Sequence, residues 1–118
     1  ITILNPAPAA PLPDEVWPLI DWLTPNELEL AALSGIAASG SESLAEPSFA
    51  TVVAASRKLL ARGVGAVLTT LGARGALYVD AARAEHFPSV PVRPVDTTGA
   101  GDAFTGALAA GLAEGRPR

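Results

Sequence analysis

Apolar and polar positions along this chain switch between the two-residue period of strands and the 3.6-residue period of helices. The run Ile1-Thr2-Ile3-Leu4 is short, apolar and β-branched, and reads as a buried strand. Pro6, Pro8, Pro11 and Pro13 then force an extended loop. Positions 14–20 suit a short helix, weakened by Pro18, and Asp21-Trp22-Leu23-Thr24 is strand-like up to Pro25. Leu28, Leu30, Ala31 and Leu33 give positions 26–33 a helical pattern that stops near Gly35. Positions 37–46 are small and polar, a loop. Phe49, Val52, Val53, Ser56, Leu59 and Leu60 recur at helical spacing, and Gly63 is a natural stop. Positions 66–70 read as a second buried strand, and 76–80 and 84–87 as two strands joined by a turn. A last helix covers 103–114, with Phe104, Ala107, Leu108, Gly111 and Leu112 toward a packing partner. Strands alternating with helices predict an α/β fold, with a mainly parallel sheet covered by helices on both faces.

Composition narrows the function classes. The 118 residues fit one domain or a piece of one, and 49% hydrophobic content supports a real core. Net charge is −4, with Lys58 the only lysine, which argues against a nucleic-acid footprint. There is no cysteine, hence no disulfide framework and no thiolate zinc site. No apolar run is long enough to span a bilayer, and no signal-peptide pattern opens the chain. The simplest expectation is a cytoplasmic protein, with no membrane and no nucleic acid among its partners. The chain starts at once on a strand-like run without Met, so it is expected to be a fragment, a processed product or the ordered part of a longer chain.

The candidate chemistry concentrates at Asp96-Thr97-Thr98-Gly99-Ala100-Gly101-Asp102-Ala103-Phe104. A small-residue turn opening onto a helix leaves backbone N–H groups without intrahelical partners, and with the helix dipole they form an anion site. Asp102 adds a carboxylate beside that site. Like charges repel, so a carboxylate next to bound phosphate is better explained as a base for an attacking hydroxyl than as a ligand. The plain alternative is a turn with an acid near a helix N-terminus. Asn26 and Glu29 stand at i, i+3, where Asn and an acid also form an ordinary capping box. Thr70, Leu71, Gly72, Ala73, Arg74 and Gly75 follow a strand, at the end where open α/β sheets bind ligands. A glycine-bearing connection between strands is the alternative there, and Arg74 can meet phosphate or solvent. Asp96 and Thr98 can serve simply to shape their turn. His86 has no acid or nucleophile pattern near it and reads as a surface or structural residue. Trp17 and Trp22 read as core or interface anchors.

Three ordered segments resemble the second half of the ribokinase-like (PfkB) carbohydrate kinases. They are Ile3-Leu4-Asn5-Pro6-Ala7-Pro8-Ala9 leading to Leu23-Thr24-Pro25-Asn26-Glu27-Leu28-Glu29, then Val67-Leu68-Thr69-Thr70-Leu71-Gly72-Ala73-Arg74-Gly75-Ala76, then the Asp96–Phe104 motif. The similarity covers nearly the whole chain and implies a ribokinase-like fold. It implies transfer of the ATP γ-phosphoryl to a primary sugar hydroxyl, with Asp102 as base and the N–H groups of Gly99, Ala100 and Gly101 as anion hole.

By the same resemblance, Asn26 contacts nucleotide phosphate and Glu29 organises magnesium through water. Thr70, Leu71, Gly72, Ala73, Arg74 and Gly75, with Gly101 and Asp102, line the nucleotide. Asp96 and the Thr98 carbonyl hold a monovalent cation, potassium. The segment at 4–9 is closest to the ribose-phosphorylating branch, so the implied sugar is ribose and the implied intact protein a homodimer. The sugar-binding half, the lid and the extreme C-terminus of the family are absent from 1–118, so this stretch alone is expected to be inactive. A non-catalytic nucleotide- or phosphate-binding module, or an inactive fragment of such a kinase, stands as the rival reading.

Overall fold

The computed structural model describes residues 1–36 and 47–89 of the chain. Five strands form one sheet in the order β1-β2-β3-β4-β5: β1 (Ile3–Leu4), β2 (Trp22–Leu23), β3 (Ala66–Thr70), β4 (Ala76–Asp80) and β5 (Ala84–Phe87). Two helices, α1 (Glu27–Ser34) and α2 (Phe49–Ala61), connect β2 to β3. The α/β alternation is as expected from the sequence.

Among the described residues the sheet is mixed rather than mainly parallel. β1, β2 and β3 run parallel, while β3–β4 and β4–β5 are antiparallel. Connection length decides this. A parallel pair needs a crossover of about a dozen residues or more. The 71–75 and 81–83 links are far shorter. The helices that carry the β2–β3 crossover both pack on one face, with α1 against α2 and α2 against β3 and β4. That face holds the larger core, in which Leu23, Val67, Val79 and Leu59 are completely buried beside Trp17, Leu30 and Val52. The opposite face buries a second cluster of Trp22, Ala66, Leu68, Ala76 and Tyr78, with the Trp22 and Tyr78 rings 5.6 Å apart. The loop expected at 37–46 and the helix expected at 103–114 lie outside the described residues.

Local chemistry sets the element ends. Pro18 falls inside a 3₁₀ helix, Asp14–Leu19, which turns Trp17 into the core. On α2, Val52, Ala55, Ser56 and Leu59 form the buried stripe. Its one hydroxyl is satisfied within the helix: Ser56 Oγ donates to the Val52 carbonyl at 2.8 Å. Ser48 caps the helix, its Oγ accepting the Thr51 N–H at 3.2 Å. In α1, Gly35 adopts the left-handed conformation (φ 70°) that ends the helix and returns its N–H to the Ala31 carbonyl.

Candidate functional site

The parallel strands β1, β2 and β3 deliver their C-terminal ends to one edge of the sheet. Hydrogen bonds lock these ends together. Thr24 N–H donates to the Leu4 carbonyl at 3.0 Å, and Thr70 N–H donates to the Pro25 carbonyl at 3.0 Å. A single parallel bridge then pairs Asn26 with Thr70. The start of α1 and the turn after β3, 44 positions apart in sequence, thus become neighbours. This is where a parallel sheet leaves room for a ligand.

At the α1 start the capping box is fully formed. Asn26 Oδ1 accepts the Glu29 N–H at 2.8 Å, and Glu29 Oε2 accepts the Asn26 N–H at 2.8 Å. Both side chains therefore have a structural task. The cap uses one oxygen of each. The Asn26 amide group and the second carboxylate oxygen of Glu29 are not consumed by it.

The turn at 71–75 is tied off by its own backbone. Leu71 N–H donates to the Gly75 carbonyl at 2.7 Å, Arg74 N–H to the Leu71 carbonyl at 3.1 Å, and Gly75 N–H to the Gly72 carbonyl at 3.1 Å. The two glycines differ in purpose. Gly75 (φ 93°) lies so close to β5 that a Cβ would fall on the Phe87 carbonyl oxygen and 2.7 Å from the Ser89 nitrogen. Gly72 (φ 57°) has no described residue within 4 Å of where a Cβ would stand. Gly75 is required by the protein itself. Gly72 leaves bare backbone at the site, room that suits a ligand approaching closely.

The Arg74 side chain is taken up by protein partners. Nη1 donates to the Pro47 carbonyl at 2.8 Å, and Nη2 lies 3.4 Å from Glu27 Oε1. The guanidinium stands 5.5 Å from the Phe49 ring centroid. His86, exposed and read as a surface or structural residue, lies against Phe49 with ring centroids 4.5 Å apart and planes tilted by 39°, and its Nε2–H donates to the Arg74 carbonyl at 2.6 Å. Trp17 and Trp22 are core residues, as expected. The role of Glu27 went unseen in the sequence, where it is one more acid in a first helical turn.

Asp96, Thr98, Gly99, Ala100, Gly101 and Asp102 lie outside the described residues. Among the described residues no group of three or more His, Cys, Asp or Glu side chains converges as a metal cage. The donor set at Glu29 suits a different arrangement, one carboxylate acting through water, which is how magnesium is commonly held. No described helix is long and apolar enough to cross a membrane.

Comparison with known proteins identifies the family and the fold. The model of the pfkB family of carbohydrate kinases matches residues 1–118. The chain belongs to that family. A ribokinase from Staphylococcus aureus is 38% identical over 94% of this chain, which covers 34% of that protein. The crystal structure of a ribokinase from Thermotoga maritima superposes with a TM-score of 0.82 at 40% identity, covering 98% of this chain and 36% of the other. The Arabidopsis thaliana ribokinase, solved in complex with ribose and ATP, gives 0.82 at 34% identity over 98% of this chain and 35% of its own. The ribokinase-like fold is thereby established, and the chain spans about a third of the length of these family members.

Proposed function

We propose that the protein containing this chain transfers the γ-phosphoryl group of ATP to the primary hydroxyl of ribose, yielding ribose 5-phosphate and ADP. The observation that carries the proposal is the Asn26–Thr70 bridge, which makes one ligand edge from two distant segments. The ribokinase relatives, and the ribose and ATP bound to the Arabidopsis protein, support the choice of sugar and donor. Because the chain spans a third of those relatives, the sugar-recognising residues are assigned to the remainder of the protein.

Each residue has one task in this reading. Thr70, Leu71, Gly72, Ala73 and Gly75 form the turn that lines the nucleotide, with Gly72 as the point of closest approach. The Asn26 amide donates to phosphate oxygen. Glu29 orients the water shell of magnesium, which, when bound, neutralises charge on the phosphate oxygens. Asp102 accepts the proton of the sugar hydroxyl as its oxygen bonds to the γ-phosphorus and the bond to ADP breaks. The N–H groups of Gly99, Ala100 and Gly101 receive the charge that develops on the phosphoryl oxygens. Asp96 and the Thr98 carbonyl hold potassium, which fixes the turn carrying those donors.

The experiment is phosphorylation of ribose by the complete natural protein with ATP and magnesium, read as product mass and ADP release. Phosphorylated ribose with stoichiometric ADP is the expected result. ATP binding without turnover on ribose or other pentoses would favour the non-catalytic module instead.

A further inference from the structure

The turn at 71–75 sends out one side chain that reaches the other half of the proposed ligand edge. Arg74 joins three elements at once. It meets α1 through Glu27, the start of α2 through the Pro47 carbonyl and the Phe49 ring, and β5 through the bond its carbonyl receives from His86. Its side chain is 31% exposed and that of Glu27 16%, so water screens this pair less than a surface pair. Geometry selects arginine here. A planar fork sends separate N–H groups to two acceptors while its face lies against a ring, which a single ammonium cannot do. Both terminal nitrogens of the guanidinium are thus committed to protein acceptors.

We infer that Arg74 is a positioning residue of the nucleotide site, acting through Glu27 to hold the 71–75 turn at a fixed separation from the Asn26–Glu29 helix start. The inference rests on the reading of that turn as nucleotide-binding. Glu27 lies in the first turn of the helix whose cap is Asn26, so the ion pair couples the two segments that the strands only bring side by side. Loosening it lets the turn drift relative to the phosphate donors, and ATP affinity falls while the sugar end is untouched.

The test is ATP binding by calorimetry to the complete protein, with ribose KM measured in parallel, for Arg74→Ala, Arg74→Lys, Glu27→Ala and the double variant. Positioning predicts that Arg74→Ala and Glu27→Ala each weaken ATP binding about 5- to 30-fold, the span of one to two kcal/mol of coupling. The double variant is then no worse than the poorer single one, Arg74→Lys recovers only part of the loss, and ribose KM stays within about twofold. A direct phosphate contact predicts the opposite sign for Glu27→Ala. Freeing the guanidinium and removing a negative charge would tighten ATP binding, and that result overturns the inference. So does unchanged ATP affinity in Arg74→Ala, the outcome of a purely structural role that moves only the melting temperature. Should Arg74→Ala fail to fold, Glu27→Ala and Arg74→Lys decide the question by the same readout. Wild-type protein that binds no ATP would instead bring down the underlying nucleotide reading, and this inference with it.

Discussion

Asn26 and Thr70 face each other across a lone parallel bridge, with the Thr70 N–H bound to the Pro25 carbonyl at 3.0 Å. The bridge continues the β2–β3 pairing past the regular strands, into the cap of α1 on one side and the turn of Gly72 and Gly75 on the other. Strand pairing therefore aligns the two segments, and the side chains built on it tune the result.

The two roles open to Asn26 separate in one substitution. Serine also caps helices well but lacks the amide. Asn26→Ser is expected to leave the melting temperature within a degree or two while weakening ATP binding. Asn26→Ala loses the cap as well and costs about 1 kcal/mol of stability. Thermal denaturation and ATP titration of both variants check this. Unchanged ATP binding in Asn26→Ser would leave the residue as a cap alone.

Gly75 and Gly72 should respond differently to alanine. Gly75→Ala loses about 1–3 kcal/mol from the backbone conformation alone. Its collision with the Phe87 carbonyl adds to that, so a large drop in melting temperature is expected. Gly72→Ala meets no neighbour among the described residues and costs about 1–2 kcal/mol for the left-handed conformation. Its larger effect is on ATP affinity, since the methyl group occupies the open face. Equal stability losses in the two variants would contradict the division of labour drawn between them.

The β4–β5 turn carries an acid-sensitive element. Asp80 accepts from the Tyr78 hydroxyl and from the N–H groups of Ala82 (2.8 Å) and Arg83 (2.9 Å). The Tyr78 hydroxyl foremost, then these two amides, hold its pKa below the ordinary 3.8. The ionised form thus stabilises the fold above about pH 4, and this contribution is lost as pH falls through the folded-state pKa. Asp80→Asn should melt earlier than wild type at pH 6, with the gap closing as the pH drops below about 4. Melting curves across that range check it, and a gap independent of pH would contradict the assignment.

Burial patterns were legible in the sequence where period and length coincide. β3 and β4 occupy Ala66–Thr70 and Ala76–Asp80, the positions expected, because apolar runs bounded by turn residues encode strands directly, and the exposed β5 (Ala84–Phe87) follows as the second arm of the turn after β4. The mixed sheet was less legible, since periodicity reports which residues are buried and says nothing of strand direction. At the site, Asn26 and Glu29 announced themselves through their i, i+3 spacing, as did Gly72 and Gly75 through their place after a strand. The Arg74 brace did not. Its partners Pro47 and Glu27 lie 27 and 47 positions away, beyond the reach of any local pattern.

The proposed mechanism rests its chemical step on Asp102, so kinetics of Asp102→Asn in the complete protein tests it most directly. The amide keeps the size of the side chain and still hydrogen-bonds a hydroxyl, but it does not take the proton at neutral pH. Steady-state turnover of ribose with ATP should show kcat lowered about 10²–10⁴-fold. ATP binding should be unchanged or slightly tighter, because a negative charge near the γ-phosphate is gone, and the melting temperature should hold because Asn also serves well at a helix start. A variant that retains near-wild-type kcat would contradict the assignment of Asp102 as the base, and with it the mechanism proposed for this chain.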